Sequence, residues 1–376
     1  MRLILKIIIF TFLLAQILVF GQNTSDDSLL KKAYSEIYDR PDSAISIGKK
    51  ILKKEKDINQ LIKIYSLLST ANIAKRNFEE SLQYIIKAKE LGKKTNDLKT
   101  QTSLLISLAI QYEQMELFSK SFETLDEADT YLSKLPDGLY EKYFETGRSY
   151  AIRGMIYKSQ SNSEIALEKF LVSVANFEKI KAKKRTYVNL SIVYYNIGSC
   201  YLNLDQSEKA KSAFLKAIDY AQKDQAKSLE AFGLKGLAEM YKLNHESQTA
   251  LDLLHKAENL CSNTGDLALS EGIYKEMSDN YLALGNSALY QTYNNKVFAL
   301  RFKREENELS SINHSIDDYN KEIIKKIQDV KLHFKYIRIS IIIIGLAISL
   351  LLISLILKIK RENKKYQTEI QKLIRY

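Results

Sequence analysis

The sequence predicts an all-α fold: a helical solenoid of about seven helix–turn–helix units, then a long coiled-coil helix and one transmembrane helix. One pattern of large and small residues recurs about every 40 residues along most of the chain. Only two prolines occur in 376 residues, which favours helices throughout. No long stretch alternates apolar and polar residues with the period of a strand. Stacked helical hairpins are therefore favoured over a sheet.

The clearest copy of the pattern lies in residues 191–224. A large residue is followed by an apolar residue, a glycine and an aromatic residue, all within one helical stretch. The next helical stretch then carries an alanine, a large apolar residue and a second alanine. We expect the small residues to lie where the paired helices cross closely, with the large residues filling the space beside them. These residues are Tyr194, Ile197, Gly198, Tyr201, Ala210, Phe214 and Ala217.

This order of offsets resembles the tetratricopeptide repeat, a helix–turn–helix unit of about 34 residues. Two neighbouring segments follow it closely. The matching residues are Tyr150, Gly154, Tyr157, Ala166 and Phe170 in one segment, and Leu234, Leu237, Ala238, Tyr241, Ala250, Leu254 and Ala257 in the other. Looser copies begin at Ile62, Thr102 and Glu271, and a weak pair lies in residues 28–54. Atypical terminal units are expected because they face water.

Turn residues predict several unit boundaries. Pro41 suits the first turn of a helix, where its missing N–H is not needed. Residues 136–138, Pro-Asp-Gly, predict a turn between units. Ser161 and Glu164 have the spacing of a capping box before the helix that holds Ala166.

Residues 1–21 are predicted to form a secretory signal peptide. Arg2 and Lys6 precede an apolar run, and a sharply polar stretch starts at Gln22. The alternative is an uncleaved anchor, for which about 14 apolar residues are short. Residues 22–300 then form the solenoid.

Residues 338–358 are predicted to form a transmembrane helix. Positions 339–357 are 19 residues without a charge, bounded by Arg338 and Lys358, which is long enough to cross a bilayer. A buried helix of a soluble domain is the alternative. The signal peptide and the basic tail, residues 359–376, both predict that the solenoid lies outside the cytoplasm and the tail inside it. The sequence thus predicts a single-pass protein of a bacterial inner membrane, with a periplasmic solenoid and a cytoplasmic tail.

Residues 301–337 connect the solenoid to the span. Apolar side chains recur there every seven residues, which indicates a coiled coil and a homodimer through residues 302–337. The alternative is a capping helix that folds back on the last repeats. The heptad residues are Phe302, Leu309, Ile316, Ile323, Val330 and Ile337.

The net charge of +11 does not indicate a nucleic-acid partner. Most of the excess lies in residues 1–21, 301–338 and 358–376, so residues 22–300 are nearly neutral. The four histidines have no metal-ligand spacing, and Cys200 lies inside a repeat helix, where a buried thiol is expected. No phosphate loop or nucleophile motif is present. We therefore expect no catalytic residue, metal or cofactor.

The layout resembles bacterial membrane-anchored tetratricopeptide-repeat regulators, which often end in a cytoplasmic DNA-binding domain or a histidine kinase. Here the sequence ends at Tyr376, without such a domain. The resemblance implies a non-enzymatic sensory or regulatory adaptor that binds a protein or peptide in the periplasm. Two alternatives stay open: a passive envelope scaffold, and a shortened relative of a tetratricopeptide transcriptional regulator or sensor kinase.

The resemblance also implies which residues bind a ligand. In such repeats they lie on the first helix of each pair and face the concave groove. Carried over by the family's offsets, they are Tyr195, Ser199 and Asn203 in the clearest unit, and Lys235, Glu239 and Lys242 in the next. A solvated surface is the alternative role for these side chains.

Overall fold

The computed structural model describes residues 27–181, 183–262 and 264–373, and the predicted signal peptide lies outside them. The described residues form helices and no strand, so the predicted all-α solenoid is confirmed. The helices are α1 (27–36), α2 (Pro41–Leu52), α3 (Ile58–Ala74), α4 (Phe78–Gly92), α5 (Leu98–Gln114), α6 (Phe118–Leu132), α7 (Tyr140–Ser159), α8 (Ser163–Glu178), α9 (Tyr187–Asn203), α10 (Ser207–Asp224), α11 (Lys227–Leu243), α12 (Ser247–Cys261), α13 (Leu267–Ala283) and α14 (Ser287–Leu373), with a 3-10 turn at Lys183–Thr186.

Consecutive helices pack as antiparallel hairpins, α3 with α4 through to α11 with α12. At the ends, α1 and α2 share one apolar cluster, and α13 packs on the start of α14 through Tyr274 and Tyr293, whose ring centroids are 5.7 Å apart. Helices α3 to α13 contain 15 to 20 residues, which accounts for a unit longer than the usual repeat. As predicted, α2 begins at Pro41.

Small residues of the repeat pattern allow close helix contact. Ala210, Phe214 and Ala217 are fully buried, as are their counterparts in the neighbouring repeats. A Cβ added at Gly198 would stand 2.6 Å from the Phe214 ring, and one at Gly154 would stand 2.6 Å from the Phe170 ring. Glycine is therefore required where α7 crosses α8 and where α9 crosses α10. The equivalent buried residues are Ala166, Phe170, Ala238, Ala250 and Ala257, and Tyr157, Tyr201 and Tyr241 pack beside them, partly buried.

The turn inside each hairpin has one repeated conformation. The second residue after the helix is left-handed, and the N–H of the residue that follows it bonds back to a carbonyl five residues earlier, as in a Schellman turn. These left-handed residues are Arg76, Glu116, Ser161, Asp205, His245 and Gly285. The capping-box prediction at Ser161 is wrong, because Ser161 closes α7. The α8 cap is Asn162, whose side chain accepts from the Ile165 N–H at 3.1 Å.

Helix α14 is unbroken from Ser287 to Leu373. The residues up to Asn313 belong to the solenoid unit, and those from His314 form a second unit. Near its start, Tyr293 and Val297 are buried, whereas Phe302 and Leu309 are 73% and 59% exposed. Within the second unit, Ile327–Ile370 contains a segment long and apolar enough to cross a membrane.

Candidate ligand cavity

The first repeats contact the last ones directly. The Ser228 hydroxyl, in α11, lies 3.2 Å from both the Tyr38 carbonyl and the Asp39 carboxylate, which follow α1. Arg76 Nε, in the α3–α4 turn, donates to Glu308 Oε1 of α14 at 2.6 Å. In a simple solenoid each repeat touches only its neighbours. These two contacts therefore close the array on itself and enclose the space between its first helices.

An inner cavity of about 310 Å³ occupies this space. Its volume is at the lower end of the range of small-ligand sites. Most of the wall is apolar and comes from the inward sides of first helices. The side chains that form it include Ile73, Met155, Ile192, Tyr195, Leu229 and Phe232.

Two aromatic rings form one side of the cavity. Tyr195 and Phe232 meet edge to face, with centroids 5.6 Å apart. The Lys158 ammonium lies 5.7 Å from the centre of the Tyr195 ring and donates to the Asn196 side-chain oxygen. This wall presents two aromatic rings to a ligand, an arrangement suited to packing against an apolar group.

Polar groups converge at another part of the wall. Arg76 Nη1 donates to Gln114 Oε1 at 3.2 Å, and Gln114 Nε2 donates to Glu113 Oε2 at 2.7 Å. Glu113 is only 7% exposed. Burial raises the pKa of Glu113, although the Gln114 hydrogen bond and the charges of Lys158 and Arg76 act in the opposite direction. The cavity therefore borders a buried acid and a guanidinium joined through one amide.

The same row of polar groups continues into α14. Glu308 is 9% exposed and shares its carboxylate between Arg76 and Arg304, with Arg304 Nη1 at 2.8 Å from Oε2. Arg304 and Arg301 donate in turn to Glu271 at 2.7 and 2.9 Å. Burial alone would raise the pKa of Glu271, but these two hydrogen bonds outweigh it and the net shift is downward. The cavity wall is thus linked to α13 and α14 by alternating charges.

Three of the predicted groove residues belong to α9. Tyr195 lines the cavity. The Ser199 hydroxyl donates to the Tyr195 carbonyl at 3.2 Å within its own helix. Asn203 donates to the Ser163 hydroxyl of the preceding repeat at 3.2 Å. Of these three, Tyr195 is therefore the one whose side chain is placed to meet a ligand in the cavity.

The other three predicted groove residues belong to α11 and form ion pairs. Lys242 lies 2.7 Å from Glu276 and 3.2 Å from Asp279, both in α13. Lys235 lies 3.7 Å from Glu239, one helical turn away. The Lys242 pairs join neighbouring repeats. Sequence reasoning missed Arg76, which lines the cavity from the turn after α3.

No cluster of three or more metal-ligating side chains occurs among the residues the structure describes. Cys200 and Cys261 are buried free thiols. Burial raises the pKa of Cys200 to about 11, so this thiol is a poor nucleophile near neutral pH.

Comparison with known proteins agrees with the repeat pattern. The family model of the tetratricopeptide repeat matches residues 192–224. Tetratricopeptide repeat protein 29 of Macaca fascicularis is 23% identical over 159 residues, which is 42% of this chain and 32% of that protein. The chain therefore spans about a third of the length of this curated relative.

Solved structures share the fold. The Rap conjugation gene regulator of plasmid pLS20, in complex with the Phr* peptide, has a TM-score of 0.57 at 15% identity, covering 75% of this chain and 73% of that one. NprR in complex with its cognate peptide NprX has a TM-score of 0.54 at 15% identity, covering 81% and 88%. The protein thus has a tetratricopeptide-like helical repeat fold.

Proposed function

We propose that this protein is a non-enzymatic, membrane-anchored adaptor that binds a peptide, or an extended segment of a protein, in the inner cavity. The observation that carries the proposal is the cavity itself, with an aromatic and aliphatic wall and a few converging polar groups from different repeats. Ligand sites in proteins commonly combine an apolar wall with a small number of placed polar groups. The volume suits one or two large side chains of a longer ligand.

The two solved relatives with the same fold were each determined with a peptide bound. This likeness is an analogy of fold, and it supports a peptide as the first ligand class to test.

The proposed location is a bacterial inner membrane, with the solenoid in the periplasm. The apolar segment within Ile327–Ile370 supports a single span. The basic residues that follow it, among them Lys358 and Arg361, support a cytoplasmic tail. Residues 1–21 supply the export signal in this proposal.

The proposed adaptor is a homodimer through residues 302–337. Phe302 and Leu309 support this, because they are exposed while the face with Tyr293 and Val297 is buried. The start of α14 thereby caps the last repeat with one face and leaves the heptad face open to a second copy. In this proposal α14 is both a capping helix, through its buried face, and part of a coiled coil, through its exposed face.

A retention experiment tests the binding site. The full chain in detergent micelles is immobilised and offered a pool of short random peptides, and retained peptides are identified by mass spectrometry. Ala268 lines the cavity, so Ala268→Phe should fill it and abolish enrichment. Ala288→Phe makes the same change at an exposed position of α14 and should retain the wild-type set. Equal retention by both variants would contradict the proposed site.

A further inference from the structure

Arg76 contributes both to the cavity wall and to the attachment of α14. It lines the inner cavity, and it holds Glu308 at the start of α14 with a 2.6 Å ion pair. Its guanidinium stays at the cavity wall because it lies 4.9 Å from the centre of the Phe78 ring and bonds Gln114. A ligand in the cavity therefore meets the same cation that retains α14.

Glu308 keeps a second partner if Arg76 leaves it. Its other carboxylate oxygen accepts from Arg304 at 2.8 Å, and Arg304 is itself anchored on Glu271. Removing one partner from a buried ion pair is costly when it strands a charge. Here the Glu308 charge stays compensated by Arg304 when another carboxylate takes its place on Arg76.

We propose that a carboxylate of the bound peptide replaces Glu308 on Arg76, and that this exchange releases the start of α14 from the second repeat. This inference rests on the proposed peptide-binding function. A guanidinium pairs with carboxylates through parallel N–H donors, which makes Arg76 the matching group for such a ligand.

The exchange changes α14 without unfolding the repeats. The Arg76–Glu308 pair joins residues far apart in the sequence and lies outside the apolar clusters that hold the hairpins together. Each hairpin keeps its own core when this contact opens. Helix α14 runs from Ser287 to Leu373. A ligand in the cavity therefore acts on α14 at Glu308, where the Arg76 ion pair attaches this helix to the α3–α4 turn.

Three peptide pools distinguish the possible sources of the carboxylate. One pool has a free C-terminal acid and no acidic side chains, one has a C-terminal amide with glutamate side chains, and one has a C-terminal amide with no acid at all. Each is offered to the immobilised full chain in detergent micelles. The variants are Arg76→Gln, Glu308→Gln and, as a control, Glu305→Gln, which removes the same charge at an exposed site on the same helix.

The wild type should retain a carboxylate-bearing pool about tenfold better than the pool without acid, and Arg76→Gln should lose that preference. Glu308→Gln should strengthen retention of the same pool by several fold, because the competing carboxylate is gone. Glu305→Gln should match the wild type. The pool that shows the preference identifies the carboxylate as terminal or side-chain.

Two results would overturn the inference. The ion pair would be purely structural if the wild type retained pools with and without carboxylates equally, or if Glu308→Gln weakened retention. Peptide binding itself would remain supported in either case. Retention of no peptide from any pool would remove the proposed function and this inference together.

Discussion

Phe214 lies so close to Gly198 that a methyl group at the glycine would stand 2.6 Å from the ring. The same ring also faces Gly236 of the next repeat. One fully buried phenylalanine thereby joins α9, α10 and α11, and both glycines are required by contact rather than by backbone conformation. Interiors packed at this density have no room for an added carbon.

Gly198→Ala should therefore lower the free energy of unfolding by about 1–2 kcal/mol, because overpacking outweighs the gain in helix propensity. Gly272→Ala is the matched control, since the nearest atom to its Cβ is the flexible end of Lys235. That change should be neutral or slightly stabilising. Urea denaturation of the full chain in micelles, followed by circular dichroism, measures both, and equal effects would refute the packing argument.

The hairpin turns predict an opposite pair of effects. Glu116 has a φ of 58° and Gly285 a φ of 73° at equivalent positions. Glu116→Gly should raise the melting temperature, by relieving about 0.5–1 kcal/mol of backbone strain. Gly285→Ala should lower it by a similar energy. A calorimetric scan that showed both substitutions shifting the melting temperature in the same direction would contradict this reading of the turns.

Buried Glu113 predicts a pH-dependent effect on stability. Its pKa is raised by burial above the ordinary value of 4.5, so the folded state binds the proton more tightly than the unfolded chain. The free energy of unfolding therefore falls as the pH rises from the pKa of the unfolded chain to the raised pKa of the folded state. The loss persists at higher pH. Glu113→Gln should melt higher than the wild type at pH 7, and the difference should shrink as the pH falls towards 4.5 and stay small below that value.

Glu123→Gln is the control for this comparison, because the Glu123 side chain is exposed and its charge is not among those that shift the pKa of Glu113. It should follow the wild type at every pH. A constant difference between Glu113→Gln and the wild type across the pH range would assign the effect to packing instead of ionisation.

The exposed heptad face predicts self-association. Combining Phe302→Ser with Leu309→Ser should raise the dimer dissociation constant by about tenfold or more, because the two side chains lose their apolar contact with a second copy. Leu171→Ser with Leu215→Ser alters two exposed leucines of the repeats and should leave the dimer intact. Sedimentation velocity in detergent measures both, and a monomeric wild type would remove the coiled-coil proposal.

The repeat architecture was predictable because its signals are local. The spacing from Gly198 to Phe214 reflects one hairpin, and the same spacing returns in each unit. A local signal also failed at Ser161, where Asn162 offers the same capping chemistry one residue later and the left-handed turn selects it. Nothing in the periodicity places Arg76 beside Glu308, 232 residues away. That contact depends on the accumulated curvature of all the intervening repeats.

The predicted groove residues also separate what local sequence patterns determine from what depends on contacts between repeats. The family's offsets placed Tyr195 on the inward face, where it lines the cavity. They also selected Lys242, which is held between Glu276 and Asp279 of the next repeat. Helix periodicity gives the face of a side chain, but its partners depend on the register between repeats.

Hydrogen exchange of residues 301–313 measures whether an occupant of the cavity loosens the attachment of α14 to Arg76. The full chain in lipid nanodiscs is compared with and without a peptide that the wild type retains. We expect faster exchange in this segment when peptide is bound, and no change in Ala268→Phe. Peptide binding that leaves exchange of residues 301–313 unaltered would contradict this expectation.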